Sequence, residues 1–467
     1  MGRKIEGPFY PYSQQRGEKL MAQVSVSSII DRSSSMGYYN YIEPAKTDAA
    51  TFVSIMRAND QIGLVAIDDT SPVLYTLNTL DTNHDVIQAA LNVIKGISSY
   101  GNTNIKNALT NAHSMLGSAS NPAKAIILLS DGEYNVGGDP LSGLPTDIPV
   151  YTIALGNSSG IQTLQSIASQ TGGKYYFSPD AFELAAIYNQ IANDSRVAQT
   201  SLNQRQQIPS YQFSSLPLQV PANTAHISLG VNWLNSQIDY TAGTPGVNQV
   251  SVLLRDPNNQ KVALPPTFEG GEFVTFHLHD PLPGQWTVGC WCGQVPNNQF
   301  QGTMGGFEPQ DSSSLSLHAT HLCQHKKAPV NLRAALDTKG RAVSELQVRA
   351  YINSPLHSLA EIKQQHEQRL NTIQTDPAPE EGMSSSGPQL WALHKQLLPT
   401  ENIFQRKTLP INVDASVDND GRASINIPPF AFDNVGEHNV HLEITGKYAS
   451  CGSRFSRTQQ ISLSATD

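Results

Sequence analysis

Charged residues are scarce in this chain of 467 residues: they make up 15% of it, against roughly 25% in an average globular protein. The formal net charge is −9, and no basic stripe is present that could meet the phosphates of a nucleic acid. We therefore exclude a nucleic-acid partner, whereas an acidic surface is compatible with a divalent-cation site. A surface poor in charge must be built from Ser, Thr, Asn and Gln, which favours an extracellular or cell-surface protein.

Long apolar runs are also missing. No stretch approaches the ~18 apolar residues that span a bilayer, so we predict no transmembrane segment. The residues from Met1 to Lys19 are polar and rich in aromatic side chains, and they lack the apolar run of a secretory signal. Export would then depend on a leader already removed or on another route, and a cytoplasmic location stays open.

Cysteine is rare, and four residues are too few for a disulfide scaffold. Cys290 and Cys292 flank Trp291 in a predicted strand, so both point to the same face. A disulfide from one of them to Cys323 and buried free thiols are both open at this point.

A histidine and cysteine cluster in the second half of the chain raises the question of zinc. Its members are His318, His321, Cys323 and His325, preceded by His277, His279, Cys290 and Cys292. A zinc site is one interpretation, but the spacing matches no familiar zinc pattern, so we favour a His-rich strand end.

Short apolar runs alternate with helical patterns between residues 22 and 197. Strands are predicted at 61–67, 125–129 and 148–155, and apolar stripes at helical spacing predict helices at 103–116 and 182–191. This alternation predicts an α/β fold with a doubly wound, mostly parallel sheet.

The composition changes after residue 197. Residues 198–216 are polar and Gln-rich, and we predict a linker there. Beyond it the apolar period becomes two, which is typical of antiparallel strands. We predict two β-sandwich domains, at 217–327 and 328–467, the second Ig-like with a helical insertion at about 354–408. Residues 1–21 form an N-terminal extension.

Acidic and hydroxyl residues follow the predicted first strand, in the pattern D-x-S-x-S at Asp31, Ser33 and Ser35. Thr103 stands in a loop that opens a predicted helix, and Asp131 follows another apolar run. Because ligands of an open parallel sheet gather beyond the carboxyl ends of its strands, we expect these five side chains to converge at one edge.

Five converging oxygen side chains suit a small hard cation, since Mg²⁺ prefers six oxygens in near-octahedral array and keeps some water. Three neutral hydroxyls and two carboxylates leave such an ion incompletely neutralised, so that an open position can accept an external carboxylate. We predict Mg²⁺, with Mn²⁺ and Ca²⁺ as alternatives, and binding without a chemical step.

Five residues match, one for one and in order, the metal-ion-dependent adhesion site of von Willebrand factor A domains: Asp31, Ser33, Ser35, Thr103 and Asp131. Residues 22–197 as a whole resemble such a domain, with similar flanking segments at 61–65, 153–156 and 171–173. The resemblance implies that the two serines and the threonine bind the metal directly, and that the aspartates act through water. It also implies that an acidic group of the ligand completes the shell. Ser34 departs from the glycine that is common at its position.

The remaining units resemble, more weakly, the sandwich modules that follow the A domain in calcium-activated chloride channel regulators. The segments that carry this resemblance are 283–288, 436–440 and 451–457. Some of those relatives carry a zinc protease. This chain has His366 and Glu367, but Leu370 stands where the second histidine of H-E-x-x-H is required.

The resemblance implies divalent-cation-dependent adhesion or protein binding, with a protein partner that presents a carboxylate, and no enzymatic activity. An intracellular scaffold that organises a protein assembly is the first alternative, favoured by the few cysteines and the absence of a visible leader. A hydrolase, or a regulator of an enzyme, is the second. No phosphate loop is present in the sequence, and no base–nucleophile pair can be named.

Overall fold

The computed structural model describes residues 23–131, 134–156, 160–179, 181–195, 197–308, 313–338, 340–373, 386–397, 403–417 and 423–467. The predicted N-terminal extension, 1–21, lies outside these residues. Among the helices of the described ranges, none combines the length and the apolar character needed to cross a membrane.

The first unit alternates strands with helices. In chain order its elements are β1 Val24–Asp31, α1 Ser34–Tyr38, α2 Ile42–Ser54, β2 Gln61–Ile67, β3 Val73–Thr79, α3 Asp85–Lys95, α4 Ile105–Gly117, β4 Ala123–Ser130, β5 Val150–Leu155, α5 Ile161–Thr171, β6 Tyr175–Ser178 and α6 Ala181–Asp194.

The strands of this unit form one six-stranded sheet in the order β3-β2-β1-β4-β5-β6. All neighbours are parallel except β3, which runs antiparallel to β2. One apolar cluster packs α2, α3 and α6 on one face, and a second packs α4 and α5 on the other. The predicted doubly wound, mostly parallel α/β sheet is therefore confirmed.

Helix α4 shows why the chain folds this way locally. Ile105, Leu109, Ala112 and Leu116 recur at helical spacing and are all buried, as expected for one face of an amphipathic helix. Asn104 caps the helix, because its side-chain oxygen accepts a hydrogen bond of 3.1 Å from the backbone of the third helical residue. The start of α4, and with it the loop that holds Thr103, is thereby defined.

The second unit is a sandwich of two mainly antiparallel sheets. Its strands are β7 Gln199–Pro209, β8 Phe213–Val220, β9 His226–Trp233, β10 Asp239–Tyr240, β11 Gln249–Arg255, β12 Lys261–Val262, β13 Phe268–Glu269, β14 Phe273–His279, β15 Gly284–Cys292 and β16 Gln299–Glu308. One sheet has the order β10-β11-β15-β8, with β12 beside β11, and the other has the order β13-β14-β9-β16-β7. Alternate residues of the two sheets enclose a single apolar core.

The linker predicted at 198–216 is wrong, because strand β7 and the start of β8 occupy it. Strand β7 pairs with β16 along its whole length, from Gln199 opposite Glu308 to Pro209 opposite Gln299. Its first residues carry no apolar alternation, yet they are buried, because hydroxyl groups find partners there: Thr200 donates to the carbonyl of Asn189 at 2.7 Å. The polar composition of this stretch therefore led to the prediction of a linker where a strand is present.

The third unit contains two larger sheets, a separate two-stranded sheet and the helices of the predicted insertion. Its elements are β17 Ser314–Ala319, β18 Cys323–His325, β19 Pro329–Val330, β20 Leu332–Asp337, β21 Val343–Pro355, α7 Leu359–Gln365, α8 Glu367–Leu370, α9 Ser386–Leu397, β22 Arg406–Ile411, β23 Asp414–Val417, β24 Ala423–Asn426, β25 Phe430–Ala431, β26 Gly436–Tyr448 and β27 Arg454–Thr466. Sheets β17-β20-β24-β23 and β18-β27-β26-β21-β22 share one apolar core.

The boundary expected between residues 327 and 328 is also displaced. Strands β17 and β18 precede it in the chain but pair with β20 and β27 of the third unit. Both sandwiches have an apolar period of two, so the pattern contains no signal at the point where one ends and the next begins.

Helix α2 of the first unit packs against the second unit through polar contacts. Thr47 donates to Glu272 at 2.7 Å, and the Asn232 amide donates to Asp48 at 2.5 Å. Burial, and then the nearby Glu272 carboxylate, raise the pKa of Asp48 well above its usual range. The contact joins buried side chains of both units and holds the second unit against α2.

Four histidines meet at the margin of this contact: His84 precedes α3, and His226, His277 and His279 lie on β9 and β14. The ring centre of His226 lies 5.3 Å from that of His277 and 5.1 Å from that of His279, and the ring centre of His84 lies 5.7 Å from that of His277. His277 donates from Nε2 to the carbonyl of Ser54 at 2.8 Å. Burial, with the neighbouring histidines, lowers the pKa of His277 to about 4 and that of His226 to about 2.

We expect His226 to make the contact acid-sensitive. In the unfolded chain the ring takes up a proton near pH ~6.5, whereas the folded protein keeps it neutral at that pH. The unfolded state then binds more protons, and stability falls as the pH drops below about 6.5, by at most about 1.4 kcal/mol per pH unit for this one group. Urea unfolding of wild type and His226→Gln at pH 7.5 and pH 5 tests the effect, because titrating groups that do not contact His226 cancel in the difference. Wild type should lose stability relative to the variant at pH 5; an equal difference at both pH values would contradict the prediction.

The third unit covers the edge strand β6 of the first. Phe177 donates its backbone N–H to the Ser462 hydroxyl at 2.8 Å, and its carbonyl accepts from the Asn439 amide at 3.0 Å. Tyr175 donates to the Glu437 carboxylate at 3.1 Å. Side chains of the third unit thus satisfy backbone groups of β6 that a free sheet edge would leave open to pairing. The third unit thereby covers this edge of the first sheet.

Candidate metal centre

The centre of the candidate site is the turn that leaves strand β1. Asp31 is the last residue of β1, and both of its carboxylate oxygens accept hydrogen bonds: Oδ1 from the Ser33 N–H at 2.8 Å and Oδ2 from the Ser130 hydroxyl at 2.6 Å. The side chain is fully buried. Burial raises the pKa of Asp31 to about 6, although these hydrogen bonds act in the opposite direction. A buried carboxylate of this kind is stabilised in its charged form by a nearby cation.

Two serines and a second carboxylate continue from Asp31 in a chain of contacts. The hydroxyl oxygens of Ser33 and Ser35 lie 3.0 Å apart, and the Ser35 hydroxyl donates to Asp131 Oδ1 at 2.8 Å. Strands β1 and β4 are parallel neighbours, with Ile30 opposite Leu129, so their carboxyl ends coincide. The sheet therefore brings together four of the five predicted residues.

Thr103, the fifth predicted residue, lies in a loop that is tied to the β1 turn. It is buried, its N–H donates to Asn135 Oδ1 at 2.8 Å, and its carbonyl accepts from the Asn135 N–H at 3.2 Å. The same loop is tied to the β1 turn, because Ser34 donates its N–H to the carbonyl of Gly101 at 3.0 Å. Gly101 has φ +79, a backbone conformation that side chains disfavour, so glycine suits this turn.

Arg32 lies within the motif, and its positive charge would repel a cation if it were unpaired. Its Nε donates to Asp68 Oδ2 at 3.0 Å, and its guanidinium lies 4.2 Å from the ring centre of Tyr100. Although burial of the Asp68 carboxyl acts in the other direction, the hydrogen bond from Arg32 and two backbone N–H groups lower its pKa. The pair thus neutralises Arg32 beside the site.

Ser130, Asn135 and Asp68 contribute to the site but were not among the predicted residues. Asp68 directly follows strand β2, so the rule that identified Asp131, an acid just after a buried strand, could have found it. Ser130 precedes Asp131 in the chain, but its role depends on the register between β1 and β4. Sequence patterns did not distinguish it from other serines.

The donor set fits a small divalent cation. Every side-chain donor is oxygen, which hard cations prefer. In an octahedral Mg²⁺ shell with bonds of roughly 2.0–2.1 Å, adjacent oxygens lie roughly 2.9 Å apart. The separation of 3.0 Å between the hydroxyl oxygens of Ser33 and Ser35 matches that edge.

The zinc interpretation of the histidine and cysteine cluster is wrong for the residues that the structure describes, since no group of three or more His, Cys, Asp or Glu side chains there could hold a metal. Cys290 and Cys292 are buried on β15 inside the second sandwich, whereas Cys323 is exposed on β18 of the third unit. All four cysteines are free thiols, so the disulfide to Cys323 is not formed.

Comparison with known proteins relates the first unit to a family. Residues 26–133 match the model of the von Willebrand factor type A domain. No curated protein matches the sequence.

Several solved structures are similar to parts of the chain. A von Willebrand factor type A protein from Catenulispora acidiphila is 16% identical, with a TM-score of 0.35; the match covers 69% of this chain and 63%, less than two thirds, of that one. The vWF domain of the type V pili tip protein Mfa5 from Porphyromonas gingivalis is 17% identical over 37% of this chain and 95% of that one, with a TM-score of 0.30. Proximal thread matrix protein 1 from the mussel byssus, described with a zinc-occupied MIDAS motif, is 19% identical over 37% of this chain and 45% of that one, with a TM-score of 0.33.

The sheet order, the helices on both faces and the family match agree for the first unit. The first unit of this chain is therefore like a von Willebrand factor A domain, a type of module that typically serves adhesion or protein interaction.

Proposed function

We propose that the chain binds a protein partner through a divalent cation held at the edge of the first sheet. Ser33, Ser35 and Thr103 would bind the ion directly, and Asp31 and Asp131 would act through water, as the family resemblance implies. Mg²⁺ is the expected ion, with Mn²⁺ and Ca²⁺ as alternatives.

The observation that carries this proposal is the run of contacts from Ser33 through Ser35 to Asp131. Oxygens from two different strand ends follow one another along it at 3.0 Å and 2.8 Å. The buried carboxylate of Asp31 adds negative charge behind them and positions the Ser33 backbone. The arrangement supports cation binding because a cation offsets the cost of burying carboxylate charge.

The chemistry that the ion would supply is Lewis acidity toward one external oxygen. Neutral hydroxyls in its shell leave net positive charge, so a partner carboxylate is the ligand that best completes the shell. The protein's own residues would bind the ion and orient the partner carboxylate.

The charge-poor composition supports an extracellular or cell-surface location. The resemblance of the second and third units to modules of calcium-activated chloride channel regulators stays a prediction. Whatever their relatives, the two sandwiches would orient the metal-binding edge, since both pack directly on the first unit.

A capture experiment tests the proposal. Immobilised protein is incubated with native extract in 2 mM Mg²⁺ or in excess chelator, and the bound proteins are identified and compared with those retained by Asp131→Asn. The proposal requires a partner that is retained with Mg²⁺, released by chelator and not retained by the variant. Partners that bind equally under all three conditions would overturn it and favour the scaffold alternative.

A further inference from the structure

The insertion of the third unit reaches the first unit beside the candidate metal centre. Trp391, on helix α9, lies with its ring centre 5.9 Å from that of Tyr39, edge to face, and 5.6 Å from that of Tyr41. Both tyrosines belong to the segment between α1 and α2, directly after the D-x-S-x-S turn. A helix that is distant in the chain therefore contacts the segment that directly follows α1, the helix in which Ser35 lies.

Tyr39 and Tyr41 hold helix α1 through their backbone amides. The N–H of Tyr39 donates to the carbonyl of Ser35 at 2.8 Å, and the N–H of Tyr41 donates to the carbonyl of Met36 at 2.8 Å. Helix α1 has only five residues, and a helix so short is not stable without support from tertiary packing. The orientation of the Ser35 hydroxyl thus depends on the side chains that pack against these tyrosines.

The Tyr39 ring also lies close to the carboxylate end of the site. Burial, and then the charge of Asp131, raise the pKa of the Tyr39 phenol, and so the ring and that carboxylate are electrostatic neighbours. Tyr41 closes over the end of β5, where a Cβ on Gly156 would lie 2.6 Å from the Tyr41 hydroxyl. The two rings thus line the same edge of the sheet as the metal centre, with Trp391 packed against them.

Helix α9 is itself well supported. Leu390 and Leu393 are buried with Ile362 of α7 and with Ile403 in an apolar cluster within the insertion. His394 packs between Trp391 and Phe404, with ring centres 5.4 Å and 4.9 Å away. Because α9 is held by this apolar cluster, the Trp391 indole packs against Tyr39 from a fixed position.

From these contacts we infer that Trp391 is a positioning residue of the metal centre: through Tyr39 and Tyr41 it fixes helix α1 and the Ser35 ligand. The inference rests on the proposed function, since it assigns a role toward the same cation. The metal centre would then depend on both the first unit and the insertion. Displacement of α9 would weaken cation binding, and cation binding would in turn change the surroundings of Trp391 on α9.

The test uses the full chain with Mg²⁺ and Mn²⁺ alone. Residues that hydrogen-bond to a metal's ligands typically contribute 10–100-fold to affinity. Trp391 acts on the ligands only through Tyr39 and Tyr41. We therefore expect Trp391→Ala to weaken Mg²⁺ binding by about tenfold in calorimetry. Trp391→Phe, which keeps an aromatic ring, should restore most of the affinity. Trp291→Ala, which removes an exposed indole of the second unit, is the matched control and should bind like wild type.

Tryptophan emission supplies a readout that a merely structural role would not change. Mg²⁺ should alter the emission of wild type and of Trp291→Phe but not of Trp391→Phe, although the latter still binds the ion. Tyr39→Ala, which keeps the indole and its contact with Tyr41 but removes its contact with Tyr39, should reduce the response, and it serves if Trp391→Ala does not fold. Absence of Mg²⁺ and Mn²⁺ binding by wild type would defeat the proposed function. Binding by wild type together with unchanged affinity in Trp391→Ala and no emission response would defeat this inference alone.

Discussion

Replacing Asp31 with asparagine should lower the affinity for Mg²⁺ by roughly 100-fold or more, about 2.7 kcal/mol, because the carboxylate that orients the ligand turn loses its charge. Asparagine keeps the shape of the side chain and an oxygen that can accept from the Ser33 N–H, a contact of 2.8 Å in wild type. The fold should therefore be retained, as it should be in Asp31→Ala, and stability without metal should not fall appreciably in Asp31→Asn. Calorimetric titration with Mg²⁺ and Mn²⁺ measures the affinity, and thermal unfolding with and without metal measures the linked stabilisation.

Asp139→Asn provides the matched control for this prediction. Asp139 is exposed on the segment after β4, and its carboxylate accepts only from a nearby backbone N–H among the contacts described, that of Leu141 at 2.9 Å. The control removes one negative charge from the same region and should bind Mg²⁺ like wild type. Wild-type affinity in Asp31→Asn would show that the D-x-S-x-S turn does not hold the cation.

Replacing Arg457 with methionine should lower the free energy of unfolding by about 3–5 kcal/mol. Arg457 and Glu308 are both almost fully buried, and the guanidinium meets the carboxylate at 3.3 Å and 3.1 Å. The pair joins the end of β16 in the second unit to β27 in the third. Methionine fills similar volume but leaves the glutamate as an uncompensated buried charge. Urea unfolding at pH 7 measures the loss.

The double variant Arg457→Met, Glu308→Leu separates the loss of the pair from the loss of packing. Removing both charges should recover most of the stability, because replacing a buried ion pair by apolar residues is often neutral or favourable. If the double variant were as unstable as Arg457→Met alone, the loss would come from the other contacts of the guanidinium, such as its hydrogen bond to the carbonyl of Ser313 at 2.6 Å.

The residues of the candidate metal centre were predicted because each follows a local rule. Asp31 and Asp131 stand at the ends of buried parallel strands, and the helix that Thr103 precedes has a clear apolar stripe. Parallel strands that end at one edge bring such residues together whatever the rest of the chain does. The fold class of the first unit followed from the same alternation of periods.

The partners of those residues could not be predicted in the same way. Ser130 bonds Asp31 because β1 and β4 pair in one particular register, and a register is a property of two strands together. The Gln-rich stretch at 199–209 looked like a linker because the pairing partner that makes it a strand, β16, lies about a hundred residues away. Neutral amide side chains occur both in linkers and in strands, so the composition of this stretch did not distinguish between the two.

By itself the sequence determined the candidate ligand set, the α/β class of the first unit and the antiparallel character of the second and third units, since these depend on spacing within short segments. Only the tertiary structure decided that Trp391 packs beside Tyr39, that Arg32 is neutralised by Asp68, and that four histidines gather where α2 meets β14. Those contacts join segments far apart in the chain, and their energies depend on burial and on mutual distance. No local pattern encodes either quantity.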